Sequence, residues 1–474
     1  MSTQQPPQHD NINNGNKTDQ SPLPTGAQIP LQSFQLPAFP PEAANLQALT
    51  LTSDIKLPDY STLLTTAIPA DAIPPSLPGG IESLTLELFS LGYAPPFLSR
   101  LGKALGGGKL RSLTVFSQLI DGVGEESRKD AGEFFAEVLA GLREVHLLDV
   151  FCRRGFMRGI GGLLEELYRE DSGGGGGDGA AATAKNEGTK KSDLNLRFLE
   201  ISYTYRGHSD RDFLNRIPGD ELPTLLVPSI MAVSFSLNAP PSPSSSGGDD
   251  ADDDDCFPHD PADVDEEGKP IPGKKPEGII PLPHADRGTE MLVRKLAGGN
   301  TNDDGNDGAG PDSVPGPVAL KMLESTLYTF DTEQLTRILK VQKDMGVLSA
   351  SVLVEPTVEW KGELVRALRG GVGVDGSDGD GDGGGKELEI VEVVGVPSER
   401  FDREVSSDSN ATTSSILEKV FPSAADMALI SKYSPRLESF RMTILRAASF
   451  GYVEWNKVEG TSDEWVGGIK SGAA

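Results

Sequence analysis

The residues whose types and spacing could do chemistry gather in Asp- and Gly-rich stretches. Asp378, Asp380 and Asp382, followed by Gly383 and by Glu389 at the twelfth position, fit the calcium-loop pattern D-x-D-x-D-G-x5-E. Carboxylates at alternate positions can surround Ca²⁺, and a glycine after the third allows the sharp turn. A helix must leave such a loop. Here the exit, Glu387-Leu388-Glu389-Ile390-Val391-Glu392, alternates as a strand does, and Gly385 stands where an apolar residue is usual. The match is weak and no metal site is expected there. Cys256 and His259 lack the second pair that a zinc site needs. Gly102 to Leu110 resembles a phosphate loop only in its glycines, because Lys103 replaces the required Gly and Leu110 the Ser or Thr. None of the five histidines sits in a nucleophile motif and there is no G-x-S-x-G; His208 and Asp210 are neighbours, but without a partnered nucleophile they read as a polar loop. The expectation is a non-catalytic protein with no cofactor.

The elements that would position any such residue follow a grid. The pattern L-x-x-L-x-L, with apolar substitutes, starts at Leu46, Ile81, Leu110, Leu142, Leu196, Ile230, Leu320, Val347, Leu388 and Leu437. Each copy reads as a half-buried strand. Between copies lie helix-like segments: Phe97, Leu98, Leu101 and Leu105 share one stripe, and Phe134, Phe135, Val138 and Leu139 another. Asp331 or Thr332 is a natural N-cap for a helix carrying Leu335, Ile338 and Leu339. Tyr452 to Val458 alternates with period two and is expected to close the sheet as an edge strand. A strand-plus-helix unit repeated about every 30 residues is the signature of a solenoid.

Composition fits a core diluted by insertions. Hydrophobic residues are 37% of the chain, against 55 Gly and 35 Pro. Net charge is −28, and segments 239–267, 300–312 and 370–385 carry 19 of those charges without one Lys or Arg. Like-charge blocks repel themselves and stay extended. The organisation expected is a disordered tail over 1–40, a solenoid over 41–458 and a C-terminal tail over 459–474. Insertions are placed at about 172–192, 239–283, 298–317, 370–386 and 403–415. Phosphate contacts need Lys and Arg, so nucleic acid is not an expected partner. No run of 18 apolar residues suggests a membrane span. The acidic insertions read first as solvated spacers; the alternative is that they attract a basic protein. Two cysteines and no apolar leader point to an intracellular protein of cytoplasm or nucleus.

The grid resembles the leucine-rich-repeat superfamily, in its ribonuclease-inhibitor-like branch, and is similar to the irregular repeats of fungal F-box-associated proteins. The resemblance covers about 43–458 and implies an α/β solenoid with helices outside and a concave sheet face within. The family's Asn or Cys, eight residues after the first Leu, is replaced by Asp54, Phe89, Gln118, Val150 and Thr204; only Asn238 conforms. An F-box would add a substrate-receptor role in a ubiquitin ligase, but Leu57-Pro58 and Leu77-Pro78 lack the helical leucines that should follow. Because strand side chains alternate, Ser112, Thr114, Phe116, Glu144, His146, Leu148, Phe198, Glu200 and Ser202 should form three rows on the concave face. Exposed aromatics clustered there would bind a protein partner.

Overall fold

The computed structural model describes residues 25–172, 194–205, 210–238, 280–298, 316–370, 387–406, 410–445 and 451–470, apart from 107, 459, 462 and 463. Within them lie thirteen strands: β1 Gly26–Leu31, β2 Ala48–Ser53, β3 Ser83–Glu87, β4 Ser112–Leu119, β5 Glu144–Phe151, β6 Phe198–Thr204, β7 Ala232–Asn238, β8 Met322–Phe330, β9 Val347–Val354, β10 Ile390–Pro397, β11 Ser439–Ile444, β12 Tyr452–Lys457 and β13 Trp465–Lys470. The helices are α1 Leu57–Thr65, α2 Phe97–Leu105, α3 Glu125–Val138, α4 Phe156–Ser172, α5 Asp210–Arg216, α6 Arg287–Leu296, α7 Thr332–Val341, α8 Val358–Leu368, α9 Glu399–Ser406, α10 Asn410–Val420 and α11 Ala424–Ser431.

All strands belong to one α/β sheet in which each pairs with the next in sequence. β1 to β11 run parallel; β12 and β13 turn back antiparallel. One backbone step recurs at the strand starts. The carbonyl of Arg111 accepts from the amides of Arg143 and Glu144 at 2.7 and 3.1 Å. Arg143 then accepts from Arg197 and Phe198, Arg197 from Met231 and Ala232, and Lys321 from Gly346 and Val347. Parallel strands need long crossovers, and most of these crossovers carry a helix.

One face of the sheet packs on the helices. Leu84, Leu86, Leu113, Val115, Val145, Leu147, Leu199 and Ile201 are all 5% exposed or less and share a core with Phe97, Leu101, Phe134 and Leu164. Each such side chain contributes about 1.5–3 kcal/mol by leaving water. Residues alternating with them stay half-buried or exposed, apart from small serines such as Ser202 and Ser234.

Four sequence expectations need correction. The eighth grid copy starts at Met345, not Val347: Val347 is in register with Met322 on the uncovered face, while Met345, Leu348 and Ala350 are fully buried. A two-residue shift preserves strand parity, so Ala350 and Val352 kept their core positions and hid the error. Part of the expected disordered tail is ordered: β1 pairs Ala27 with Leu49 and Ile29 with Leu51, and Phe34 and Leu36 are buried. Phe34 packs among Tyr60, Phe89, Tyr93 and Phe97, closing the end of the core. β12 is not the edge, because β13 lies beyond it inside the stretch assigned to a C-terminal tail. Trp465 anchors that strand, 8% exposed, with its ring nitrogen donating to Ser431 Oγ. Finally, the insertion placed over 403–415 overlaps α9 and α10. No helix among the described residues is long and apolar enough to cross a membrane.

Candidate functional site

The nine residues named from strand alternation fall in three rows across β4, β5 and β6. Ser112, Glu144 and Phe198 are in register; so are Thr114, His146 and Glu200, and then Phe116, Leu148 and Ser202. Neighbouring strands lie about 4.8 Å apart, so each row is a line of touching side chains. Glu144 is exposed, Ser202 buried, and the other seven half-buried. His146 Nδ1 lies 2.6 Å from Glu200 Oε2, and its ring centroid 5.2 Å from that of Phe198. The side chains of the pair are 22% and 31% exposed, so the contact orients the imidazole more than it stabilises the fold. Phe116 and Leu148 adjoin on one side of this pair and Phe198 on the other.

The apolar character extends beyond those nine. Phe198, Ala232, Met322, Val347 and Ile390 are in register on five consecutive strands, β6 to β10. None is buried, and Ile390 is 47% exposed. Glu144 ends this ladder on one side and Ser439 on the other. The sequence grid hides it because that grid assigns Val347 to the core and because residues 239–279 separate β7 from β8. An apolar residue immediately before the second grid residue, read copy by copy, is the signal that finds it.

Charges flank the ladder unequally. The residues just before β6 to β10 are Arg197, Met231, Lys321, Gly346 and Glu389, with Arg197 and Lys321 exposed and Glu389 paired with Arg436; Arg143 precedes β5, one strand outside the ladder. Arg197 Nε donates to Asn195 Oδ1 at 2.6 Å, and Lys321 Nζ lies 3.5 Å from Asp344. On the other side, two residues further along the strands, stand Glu200, Glu324 and Glu392, separated by Ser234 and Ser349. Ser234 Oγ donates to Glu324 Oε2 at 2.9 Å.

A cleft of about 410 Å³ opens at the carboxyl ends of β4 to β6 and is lined in part by Ser117, Asp149, Phe151, Phe213 and Arg216. Ser117 and Asp149 share an unusual backbone with Leu88: all three follow the first core residue of their strand by four and have φ of 51, 53 and 62°. A left-handed φ is uncommon in non-glycine residues and persists where the surrounding structure holds it. Asp149 Oδ1 accepts from the Thr204 amide at 2.6 Å, and the Arg216 guanidinium lies 4.4 Å over the Phe151 ring. Close by, burial pushes the Tyr93 and Tyr203 phenols well above their usual range, so both stay protonated and offer no base. Burial also pushes the Cys152 thiol up to about 12, with the carboxylates of Asp121 and Glu221 acting in the same direction.

The other motifs do not assemble. Asp378, Asp380, Asp382, Cys256, His259 and His208 lie outside the described residues. Glu389 is described, and its carboxylate lies 3.1 Å from Arg436 Nη2. The glycines after Leu105 end α2, with Gly106 as its C-cap. Gln118, at the family's Asn position, donates from Nε2 to Leu86 O at 3.0 Å. Among the described residues no group of three His, Cys, Asp or Glu is placed to hold a metal ion.

Fold and surface together define a class: an α/β protein with a mostly parallel sheet, helices on one face and a mixed apolar and charged surface on the other. Compared with known proteins, the chain matches no family model and no curated sequence.

Proposed function

We propose that this chain is a solenoid of leucine-rich-repeat type that acts as a non-catalytic interaction scaffold, holding a protein partner on the uncovered sheet face. The observation that carries this reading is the register itself. Thirteen strands in strict sequential order give a long surface on which Phe116, Leu148 and Phe198 stand among oriented polar groups. Half-exposed aromatic and aliphatic residues fixed on rigid strands lose little entropy when a partner covers them. The low cysteine count and the acidic composition favour an intracellular setting, in cytoplasm or nucleus.

The test is affinity capture with the full chain, comparing wild type with a Phe116→Glu/Phe198→Glu double variant. Specific partners should be lost from the variant while its circular dichroism and melting temperature stay unchanged. An identical partner set from both proteins would remove the uncovered face from consideration.

A further inference from the structure

The ladder over β6–β10 has a definite length and period, and these select what can lie on it. Five strands make four gaps of about 4.8 Å, so the apolar line is about 19 Å long. An α-helix repeats its contact face about every 5.4 Å, the extended chain about every 6.8 Å. Over four steps a helix drifts from the ladder by about 2.4 Å, half a strand spacing. An extended segment drifts by about 8 Å, more than one whole strand. Only a helix keeps apolar side chains on Phe198, Ala232, Met322, Val347 and Ile390 together.

The flanks add charge. Where β6–β10 begin stand Arg197, Met231, Lys321, Gly346 and Glu389, so the cations Arg197 and Lys321 flank the ladder over β6–β8, and the one acid on that side, Glu389, is paired with Arg436; Glu200, Glu324 and Glu392 stand along the other side. Side-chain exposure of 53% for Lys321 leaves it accessible despite Asp344. Glu200 is held by His146 and Glu324 by Ser234, which fixes where their carboxylates sit. A helix acidic on both sides would face the glutamates, and one basic on both sides would face the cations.

We infer that the partner segment is an amphipathic α-helix of about 13 residues, lying across β6–β10, with acids along one side of its apolar stripe and bases along the other. This rests on the interaction reading above and adds the chemistry of the occupant. Like charges placed opposite each other supply the discrimination, since such contacts oppose binding even where the apolar fit is good.

The experiment uses the full chain and three labelled 18-residue peptides, titrated by fluorescence anisotropy at low salt. One is a helix with a leucine stripe, Glu on one side and Lys on the other. The second is the same sequence with a central Pro. The third has Lys on both sides. Wild type should bind the first at least tenfold more tightly than the other two, and Met322→Glu/Val347→Glu should lose at least tenfold. Because those changes sit on the sheet, Arg197→Glu/Lys321→Glu, both exposed, gives a second reading: its preference should move to the Lys-flanked peptide. Equal binding of the Pro peptide, or an unmoved preference in the charge variant, overturns the inference. Partners captured from lysate separate the two proposals. A partner lost from Phe116→Glu/Phe198→Glu but retained by Met322→Glu/Val347→Glu overturns the helix and leaves the scaffold standing. Partners retained by both overturn both.

Discussion

At the residue scale, buried charge does structural work in this chain. Asp130 on α3 is 4% exposed, and its two oxygens accept from the amides of Leu98 and Ser99 at 2.9 Å. Those amides belong to the first turn of α2, whose own N-cap, Pro96, supplies no side-chain acceptor. The next helix therefore caps its predecessor. Glu221 does the same for the first turn of α4, accepting from the amides of Gly155 and Arg158. Asp130→Ala should cost about 2–3 kcal/mol in urea denaturation, because two buried donors lose a charged acceptor. Cys152 carries a pH signature. Its thiol stays protonated in the folded chain up to about 12, while the unfolded thiol ionises near 8.5. The folded state thus holds more protons above pH 9, so stability falls as pH rises through that window, by about 1.4 kcal/mol per pH unit from this group. Cys152→Ala should flatten the slope by that amount in denaturation curves from pH 9 to 10.5. An unchanged slope would mean the thiol is not shielded.

At the scale of elements, α7 shows how local sequence and tertiary contact reinforce each other. Asp331 caps it by accepting from the Gln334 amide at 2.7 Å, and the Gln334 side chain returns a bond to the Asp331 amide, a closed capping box. The same Gln334 also donates to the carbonyl of His284, just before α6. Asp331→Ala should lower stability by about 1 kcal/mol through the cap alone. The cap was legible because it depends on residues three apart in sequence. The ordered β1 was not: Ala27, Ile29 and Leu31 alternate among Gln and Pro residues, and only the neighbouring Leu49 and Leu51 make that alternation worth ordering.

At the scale of the whole molecule, sequential strand order means that each strand is stabilised mainly by its two neighbours. Losing a terminal strand should therefore be survivable. Removing residues 459–474 takes away β13 and Trp465, which packs against α11 and bonds Ser431. The truncated chain should keep its far-UV circular dichroism and lose melting temperature, with the urea midpoint reduced. Global unfolding on this truncation would show that the sheet is one indivisible unit.

The amino-acid sequence by itself determined where most core strands and helices lie, since the choice between buried and exposed faces depends on side-chain period. It also determined that nine particular residues alternate away from that core. Tertiary structure decided what the period leaves open. Only the pairing of Met322 with Val347 moved Val347 out of the core and completed a five-strand apolar ladder. β1 is ordered by pairing with β2, and β13 by its hairpin with β12 together with the packing of Trp465 on the distant α11. Register between strands separated by as many as 83 residues is fixed by hydrogen bonds and close packing between distant segments, and no local pattern encodes those distances.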